Sequence, residues 1–349
     1  MRILYIAYPL LTVTEESAGG AEQVLWTLER EMHARGAHTT VAASSKSSVC
    51  GELFCTGQPC QETDDFDRRN REHQQRIVEL IRSRARTSQP FDLIHDMSGS
   101  FWPRAAEIDV PVLATLHLPR SFYEERLFRN VPLNVRFNCV SASQSRDFAG
   151  LPAETVVSNG IWLERFAGNE KQPRDGLLWL GRICPEKAPH LALDIARRAR
   201  TPITLAGQVY PFSYHQQYFS SAVVPRLRQM PDAIFVSTPS AALKRRLLAE
   251  AQAMLITSQA EETSSLVAME AAASGTPVVA FRRGALPEIV EDGVTGFLAD
   301  DFDDAVRLLS KIGEIRSEEC RRHATRFSSA VMAQAYSSLY EQVMAFVLV

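Results

Sequence analysis

The sequence predicts an α/β protein made of two parallel-sheet, doubly wound domains. Three observations carry this expectation. The chain has 349 residues, room for two or three domains of roughly 100–200 residues each. Its composition, 45% hydrophobic and 23% charged, is that of a globular chain with enough apolar surface for sizeable cores. Short apolar runs alternate with amphipathic helical patterns in two series, one on each side of a polar stretch at 159–176, and such alternation signals βαβ units.

In the first series, strands are expected at Ile3 to Ala7, Thr39 to Ala43, Leu93 to His95, Val110 to Leu116, Asn138 to Val140 and Thr155 to Val157. A helix follows Gly19-Gly20, with Val24, Leu25, Leu28 and Met32 at helical spacing on one face. Gly36 stands where its C-terminal cap belongs. Residues 44–66 read as a polar, irregular stretch, followed by a helix to about Arg86 with Ile77, Leu80 and Ile81 inward. The second series has strands at Leu177 to Leu180, Ile203 to Ala206, Ala233 to Val236, Met254 to Thr257 and Pro277 to Phe281, with helices such as His190 to Arg200 and Ala241 to Ala251. A last helix spans Ser328 to Phe346. The domains are accordingly drawn as 1–162, 163–327 and a terminal helix at 328–349 that crosses back to the first domain. Ligands of doubly wound sheets bind beyond the carboxyl ends of the strands, so the expected site is a cleft between the two domains.

Charge and cysteine content exclude several classes. Lys plus Arg is 38 and Asp plus Glu 41, a net charge of −3, which argues against a general nucleic-acid partner. No apolar run reaches the roughly 18 residues of a membrane span. The N-terminus reads as a first strand rather than a signal peptide, which places the protein in the cytoplasm. Residues 64–86 carry seven Arg against five acidic residues, a weak basic face for a membrane-bound helix; peripheral contact with the inner face of the membrane is the less favoured alternative. Cys50, Cys55 and Cys60 recur every five residues, but no CxxC pair or suitably spaced His accompanies them, so no metal site is expected there.

Candidate site residues lie just after predicted strands. The first βα loop is long and ends at Gly19-Gly20, at a helix start where free amides and the helix dipole favour an anion; the spacing is not GxGxxG, which argues against a nicotinamide enzyme. The second series opens on Gly181-Arg182-Ile183-Cys184-Pro185-Glu186-Lys187. Arg182 supplies a planar fork and Lys187 a point charge, both suited to phosphate oxygens and both equally at home in surface salt bridges. Glu262 and Glu270 are separated by seven residues. Glu262 precedes a helix and Glu270 lies two turns into it, so they suit two ends of an extended ligand rather than an acid/base pair. Thr263, Ser264 and Ser265 between them are natural N-caps. For Glu270 the plainer alternative is a solvated helix face. His117 closes a strand, where it either satisfies a buried hydrogen bond or contacts substrate.

Four stretches together resemble the retaining glycosyltransferases of family 4, of GT-B architecture: GGAEQVLWTLEREMHARG, VVSNGIWLERF, LGRICPEKAPHLAL, and the Glu-x7-Glu segment with ASGTPVVAFRRGALPEIVEDGVTGF. The resemblance implies a nucleotide-diphospho-sugar donor held mainly by the second domain, and transfer to an acceptor hydroxyl with retention and without a metal or cofactor. It places Arg182 and Lys187 on the diphosphate pair, Glu262 on the donor-sugar hydroxyls and Glu270 on the ribose hydroxyls. Ser264, Ser265, Leu266 and Val267 fall at the helix entry near the phosphates, Gly19 and Gly20 on the glycine loop facing donor and acceptor, and His117 near the 6-position of the sugar. Two departures stand out: Thr263-Ser264-Ser265 replaces the usual Pro-Phe-Gly or Ser-Phe-Gly, and Phe235 to Pro239 lacks the common glycine near the base-binding loop. The acceptor matches no recognisable motif, with saccharide, lipid-linked and small-molecule acceptors all open. Rival readings are a nucleotide-sugar epimerase or hydrolase, a phosphorylase, and a non-catalytic nucleotide-sugar-binding protein. The phosphorylase is disfavoured by the short chain and the lack of a lysine context for pyridoxal.

Overall fold

The computed structural model describes residues 1–59, 65–151, 155–166 and 174–346. The chain divides into two compact units, one of residues 1–160 with 329–349 and one of residues 161–328.

The first unit opens with β1 (Arg2–Ile6), α1 (Gly20–Ala34), β2 (His38–Ala43) and β3 (Glu52–Cys55). There follow α2 (Phe66–Ala85), β4 (Leu93–Asp96), β5 (Val112–Leu116), β6 (Val135–Cys139), α3 (Ala142–Asp147) and β7 (Thr155–Val156). All strands pair in parallel, in the order β3-β2-β1-β4-β5-β6-β7. Ile3, Leu4, Tyr5 and Ile6 are all buried, because both faces of a parallel sheet are covered and its central strands lose the inside–outside alternation.

The expectation that 44–66 is irregular throughout is corrected by β3, which pairs with β2 at the sheet edge. Its exposed ends, Glu52 and Cys55, hide the strand pattern. The turn leading into it is held by the buried Glu29, whose carboxylate accepts from Thr39 Oγ1 at 2.6 Å, Gly51 N at 2.8 Å and Cys50 N at 3.0 Å. Cys50 and Cys55 are exposed free thiols; Cys60 lies outside the described residues.

The second unit runs β8 (Leu177–Leu180), α4 (Pro189–Ala199), β9 (Ile203–Gly207), α5 (Ser213–Tyr218), α6 (Val224–Arg228), β10 (Ile234–Ser237), α7 (Ala241–Glu250) and β11 (Ala253–Ile256). It continues with α8 (Leu266–Ala273), β12 (Val278–Phe281), α9 (Leu286–Ile289), β13 (Gly296–Ala299), α10 (Phe302–Leu309) and α11 (Ser317–Ala324). The strand order is β10-β9-β8-β11-β12-β13, again all parallel. Strand β13 is an addition to the five expected; Gly296 and the neighbouring turn residues of EDGVTG mask its short apolar run. One apolar cluster includes Leu178, Met254, Met269 and Leu286, and a second includes Trp179, Leu193, Leu255 and Phe297. Leu178 and Trp179 are consecutive on β8, so the clusters cover opposite faces of the sheet.

The chain then returns to the first unit with α12 (Ser329–Phe346), which packs on α1 and β5. Its Tyr336 and Tyr340 are fully buried and join a polar network. Tyr340 Oη lies 2.7 Å from His95 Nδ1 and 3.2 Å from Tyr5 Oη. His95 Nε2 lies 2.7 Å from Thr115 Oγ1, which donates to Asn138 Oδ1 at 2.7 Å, and Asn138 Nδ2 donates to Tyr336 Oη at 3.2 Å. Desolvation holds the pKa of His95 well below the ordinary value, so the network is uncharged.

Candidate nucleotide-sugar site

The second sheet begins at β8 and grows first toward β9 and β10, then from the other side of β8 through β11, β12 and β13. The connections therefore reverse direction between β8 and β11, and the crevice beyond their carboxyl ends is where a doubly wound sheet binds ligand. The loop after β8 carries Lys187 and the loop after β11 carries Glu262. Lys187 Nζ lies 2.5 Å from Glu262 Oε1 and 2.6 Å from Oε2, spanning that crevice. The Glu262 side chain is only 8% exposed and that of Lys187 34%, so the carboxylate is sheathed while the ammonium keeps an open side.

Both loops are braced. Thr257, just past β11, donates through Oγ1 to the carbonyls of Lys187 and Ala188 at 3.2 and 2.9 Å and accepts from Trp179 Nε1 at 3.1 Å. Gln259 N donates to Glu186 O at 2.8 Å. Beyond β12, Gly284 N donates to Glu261 Oε2 at 2.5 Å and Ala285 N to Glu262 O at 2.7 Å. Gly284 has φ +53°, and a Cβ there would fall 2.2 Å from Glu262 O and 2.4 Å from Glu262 N. Only glycine allows both this conformation and this approach.

Helix α8 starts beside Glu262. Ser265 is its N-cap residue but makes no side-chain capping bond, a correction to the expectation of a conventional cap. Ala268 N and Met269 N donate to Ser265 O, while the amides of Leu266 and Val267 come before the first intrahelical bond, the position from which helix amides can donate to an anion. Ser264 Oγ is buried and has no partner among the described residues. Glu270 is 3% exposed, so it is not on a solvated face. One of its oxygens accepts from Lys244 Nζ of α7 at 2.6 Å, and the other is buried with no partner among the described residues. A buried acceptor left open costs free energy unless a ligand donor completes it, and a pair of sugar hydroxyls has that chemistry. In the sequence Lys244 is hidden, because it begins a Lys-Arg-Arg run in α7 that has the pattern of a solvated basic face.

Arg182 is exposed beyond β8, its guanidinium 5.6 Å from the Tyr210 ring centre, free of the Lys187–Glu262 pair. The structure thus pairs Lys187 with Glu262 and Lys244 with Glu270, and Arg182 stands outside both pairs.

In the first unit the connections reverse between β1 and β4. Gly19 is the N-cap residue of α1, and a Cβ there would fall 2.0 Å from Glu22 Oε2. Gly20 begins the helix. Desolvation raises the Glu22 carboxyl to about 7. Across the same switch point, Asp96 ends β4 fully buried and gathers the next loop, accepting from Ser98 N, Gly99 N, Phe101 N and Trp102 N at 2.9–3.1 Å. In the sequence this turn is marked by Asp96-Met97-Ser98-Gly99-Ser100, a carboxylate two residues ahead of a small polar stretch. His117 follows β5, partly exposed, and desolvation of its ring lowers its pKa to about 4; it is neutral at physiological pH.

Residues 174–317 match the family model described as glycosyl transferases group 1. Lipopolysaccharide 1,2-N-acetylglucosaminetransferase of Salmonella typhimurium is 24% identical over 70% of this chain and 63% of its own length. D-inositol 3-phosphate glycosyltransferase of Saccharomonospora viridis is 30% identical over 55% of this chain and 51% of its own. The chain thus spans less than two-thirds of the length of either of these relatives. Among solved structures, AviGT4, a glycosyltransferase involved in avilamycin A biosynthesis, superposes with a TM-score of 0.72 at 23% identity, over 99% of this chain and 98% of its own. Anabaena HepE in complex with UDP and glucose gives 0.76 at 16% identity, over 98% and 100%. No helix among the described residues is long and apolar enough to cross a membrane. Residues 174–317 therefore match the family model of glycosyl transferases group 1, in a chain whose two parallel-sheet units share the fold of AviGT4 and HepE.

Proposed function

We propose that the protein transfers a sugar from a nucleotide-diphospho-sugar to an acceptor hydroxyl, with retention of anomeric configuration. The observation that carries this reading is the sheathed Glu262 held by Lys187 across the β8–β11 switch point, beside the open amides of α8 and the half-satisfied Glu270. Each element matches one part of such a donor. Glu270, steadied by Lys244, accepts from the ribose hydroxyls. The α8 amides and Ser264, with Arg182 and the open side of Lys187, take the diphosphate. Glu262 accepts from hydroxyls of the sugar. Anabaena HepE, whose fold this chain shares, was crystallised with UDP and with UDP-glucose, which supports a donor of that class.

Departure of the nucleoside diphosphate puts negative charge on the β-phosphate oxygen. Arg182, Lys187 and the α8 terminus stabilise that charge with fixed positive groups, which is the role a divalent ion plays elsewhere, so the chemical step needs no metal or organic cofactor. The departing phosphate oxygen lies on the face from which the acceptor attacks and takes the acceptor proton, giving retention without a covalent enzyme intermediate. Gly19, Gly20 and His117 belong to the first unit, which by this reading receives the acceptor; a neutral His117 donates or accepts a single hydrogen bond to a sugar hydroxyl.

The test is a thermal-shift and calorimetric screen of nucleoside diphosphates and their sugars. A ligand at 100 times its Kd stabilises the fold by about 2.7 kcal/mol. The expected result is binding of one nucleoside diphosphate that weakens at least tenfold in Glu270→Gln and in Arg182→Ala. Turnover of the bound donor in the presence of an acceptor then separates a transferase from an epimerase, a hydrolase or a non-catalytic binder. Absence of binding to every nucleotide tested, or binding indifferent to both variants, refutes the assignment.

A further inference from the structure

Strands β8 and β9 are neighbours in the second sheet, so the segments leaving their carboxyl ends are adjacent. The first carries Cys184 and Glu186, the second leads into α5 and His215. We infer that Cys184, Glu186 and His215 form a binding site for a soft divalent metal ion of the zinc class. One ligand atom from each lies within 4.8 Å of the other two.

The chemistry of the three atoms is what zinc selects: a thiolate, an imidazole nitrogen and a carboxylate oxygen. Cys184 and His215 are fully buried. Both ring nitrogens of His215 and Glu186 Oε2 are buried without a hydrogen-bond partner among the described residues. A buried imidazole satisfied at neither nitrogen is an anomaly that a metal bond at one of them removes. The ring is walled by Tyr210, Phe212 and Tyr214, with centroids 5.9, 5.3 and 4.2 Å away, which keeps water from that face. Tetrahedral zinc with these ligands would set the atoms about 3.5 Å apart, so side-chain rotation closes the set, leaving a fourth position for water.

Charge also balances. Thiolate and carboxylate carry two negative charges against the two positive charges of the ion, so the neighbouring Arg182 guanidinium meets a neutral centre rather than a bare cation. On binding, the Cys184 thiol proton leaves to solvent as the metal–sulfur bond forms; no electron transfer is involved. The ion would pin the loop holding Arg182 and Lys187 to the segment after β9. Nothing in the linear spacing announces the set, because Cys184 and Glu186 are only two residues apart and His215 comes from a different strand. The inference does not depend on the donor assignment, since metal binding is read without any nucleotide.

The test uses the full chain carrying Cys50→Ser, Cys55→Ser and Cys60→Ser, which removes competing thiols, after dialysis against a chelator. Titration with Co²⁺ should give thiolate-to-cobalt charge-transfer absorption in the near ultraviolet and visible d–d bands, saturating at one equivalent and displaced by Zn²⁺. The charge-transfer absorption should vanish in Cys184→Ser, and affinity should fall at least tenfold in His215→Ala and Glu186→Gln. Circular dichroism confirms that each variant is folded, and Zn²⁺ should raise the melting temperature of the parent but not of Cys184→Ser. Absence of the thiolate band at saturating Co²⁺, or a band that survives Cys184→Ser, overturns the proposal.

Discussion

Lys187→Ala removes an ammonium lying 2.5 and 2.6 Å from the two oxygens of Glu262 and leaves a nearly buried carboxylate behind. At that separation the Coulomb attraction is about 6 kcal/mol for an effective dielectric of 20. The solvent-facing side of Lys187 screens it, and the desolvation of Glu262 offsets more, so a net coupling of about 2 kcal/mol is expected, above the 0–1 kcal/mol of an exposed pair. The assay is a double-mutant cycle with Lys187→Ala, Glu262→Gln and the double variant, read by urea denaturation of the second unit's transition. Each single substitution should destabilise, Lys187→Ala the more because it orphans a buried charge, and the double variant should cost about 2 kcal/mol less than their sum. Binding of the nucleoside diphosphate should follow a different pattern, with Lys187→Ala weakening it and Glu262→Gln sparing it while slowing transfer of the sugar. Additive stabilities within 0.5 kcal/mol would show that the pair carries no coupling and refute the view that it organises the switch point.

Other expectations follow from single contacts. Lys244→Met should weaken nucleotide binding roughly tenfold, about 1.4 kcal/mol, measured by calorimetry, because Glu270 loses the cation that orders it; an unchanged Kd would detach Glu270 from the ribose. Gly284→Ala should destabilise by about 1–3 kcal/mol and weaken donor binding, since its Cβ meets the Glu262 backbone; a crystal structure with residues 261–262 unmoved would contradict this. Truncation after residue 326 should unfold or strongly destabilise the first unit, which loses α12 and the Tyr336 and Tyr340 contacts to His95, Asn138 and Tyr5, whereas the residues proposed to hold the donor all remain; a truncated chain of full thermal stability would make the helix dispensable. Acid should destabilise through His73, whose ring lies 2.7 Å from Thr56 Oγ1 and 3.0 Å from Ala7 O and whose pKa burial lowers to about 4. Its unfolded value is higher, so the unfolded state binds more protons as pH falls from 6.5 to 4 and up to about 3 kcal/mol is lost. Glu22 acts in the opposite direction, because its raised folded pKa favours the folded state as pH falls through 7 toward 4.5. Melting curves across this range should flatten on the acid side in His73→Gln, and Glu22→Gln should stabilise at pH 8 but not at pH 4.

How much of this was written in the linear order of residues is uneven. The alternation of apolar runs and amphipathic helices determined the two parallel sheets, because a strand buried on both faces must be apolar throughout and a covering helix must be apolar on one side. Where a strand lies at an edge or is broken by glycine, as in β3 and β13, that constraint relaxes and the pattern fades. Glycines, cations and carboxylates at strand ends were legible as candidates, since the carboxyl end of a strand is where side chains reach a ligand. What they pair with was not. Lys187 and Glu262 are 75 residues apart, Lys244 and Glu270 sit on different helices, and Cys184 meets His215 only because β8 and β9 are neighbours. Partner choice of this kind depends on strand order, and strand order is set by the packing of the whole sheet rather than by any local stretch. The linear order of residues sets which residue types stand at the strand ends; which carboxylate is sheathed, which cation holds it and which acceptor is left open depend on burial and hydrogen-bond completion, and these belong to the assembled core and not to the chain.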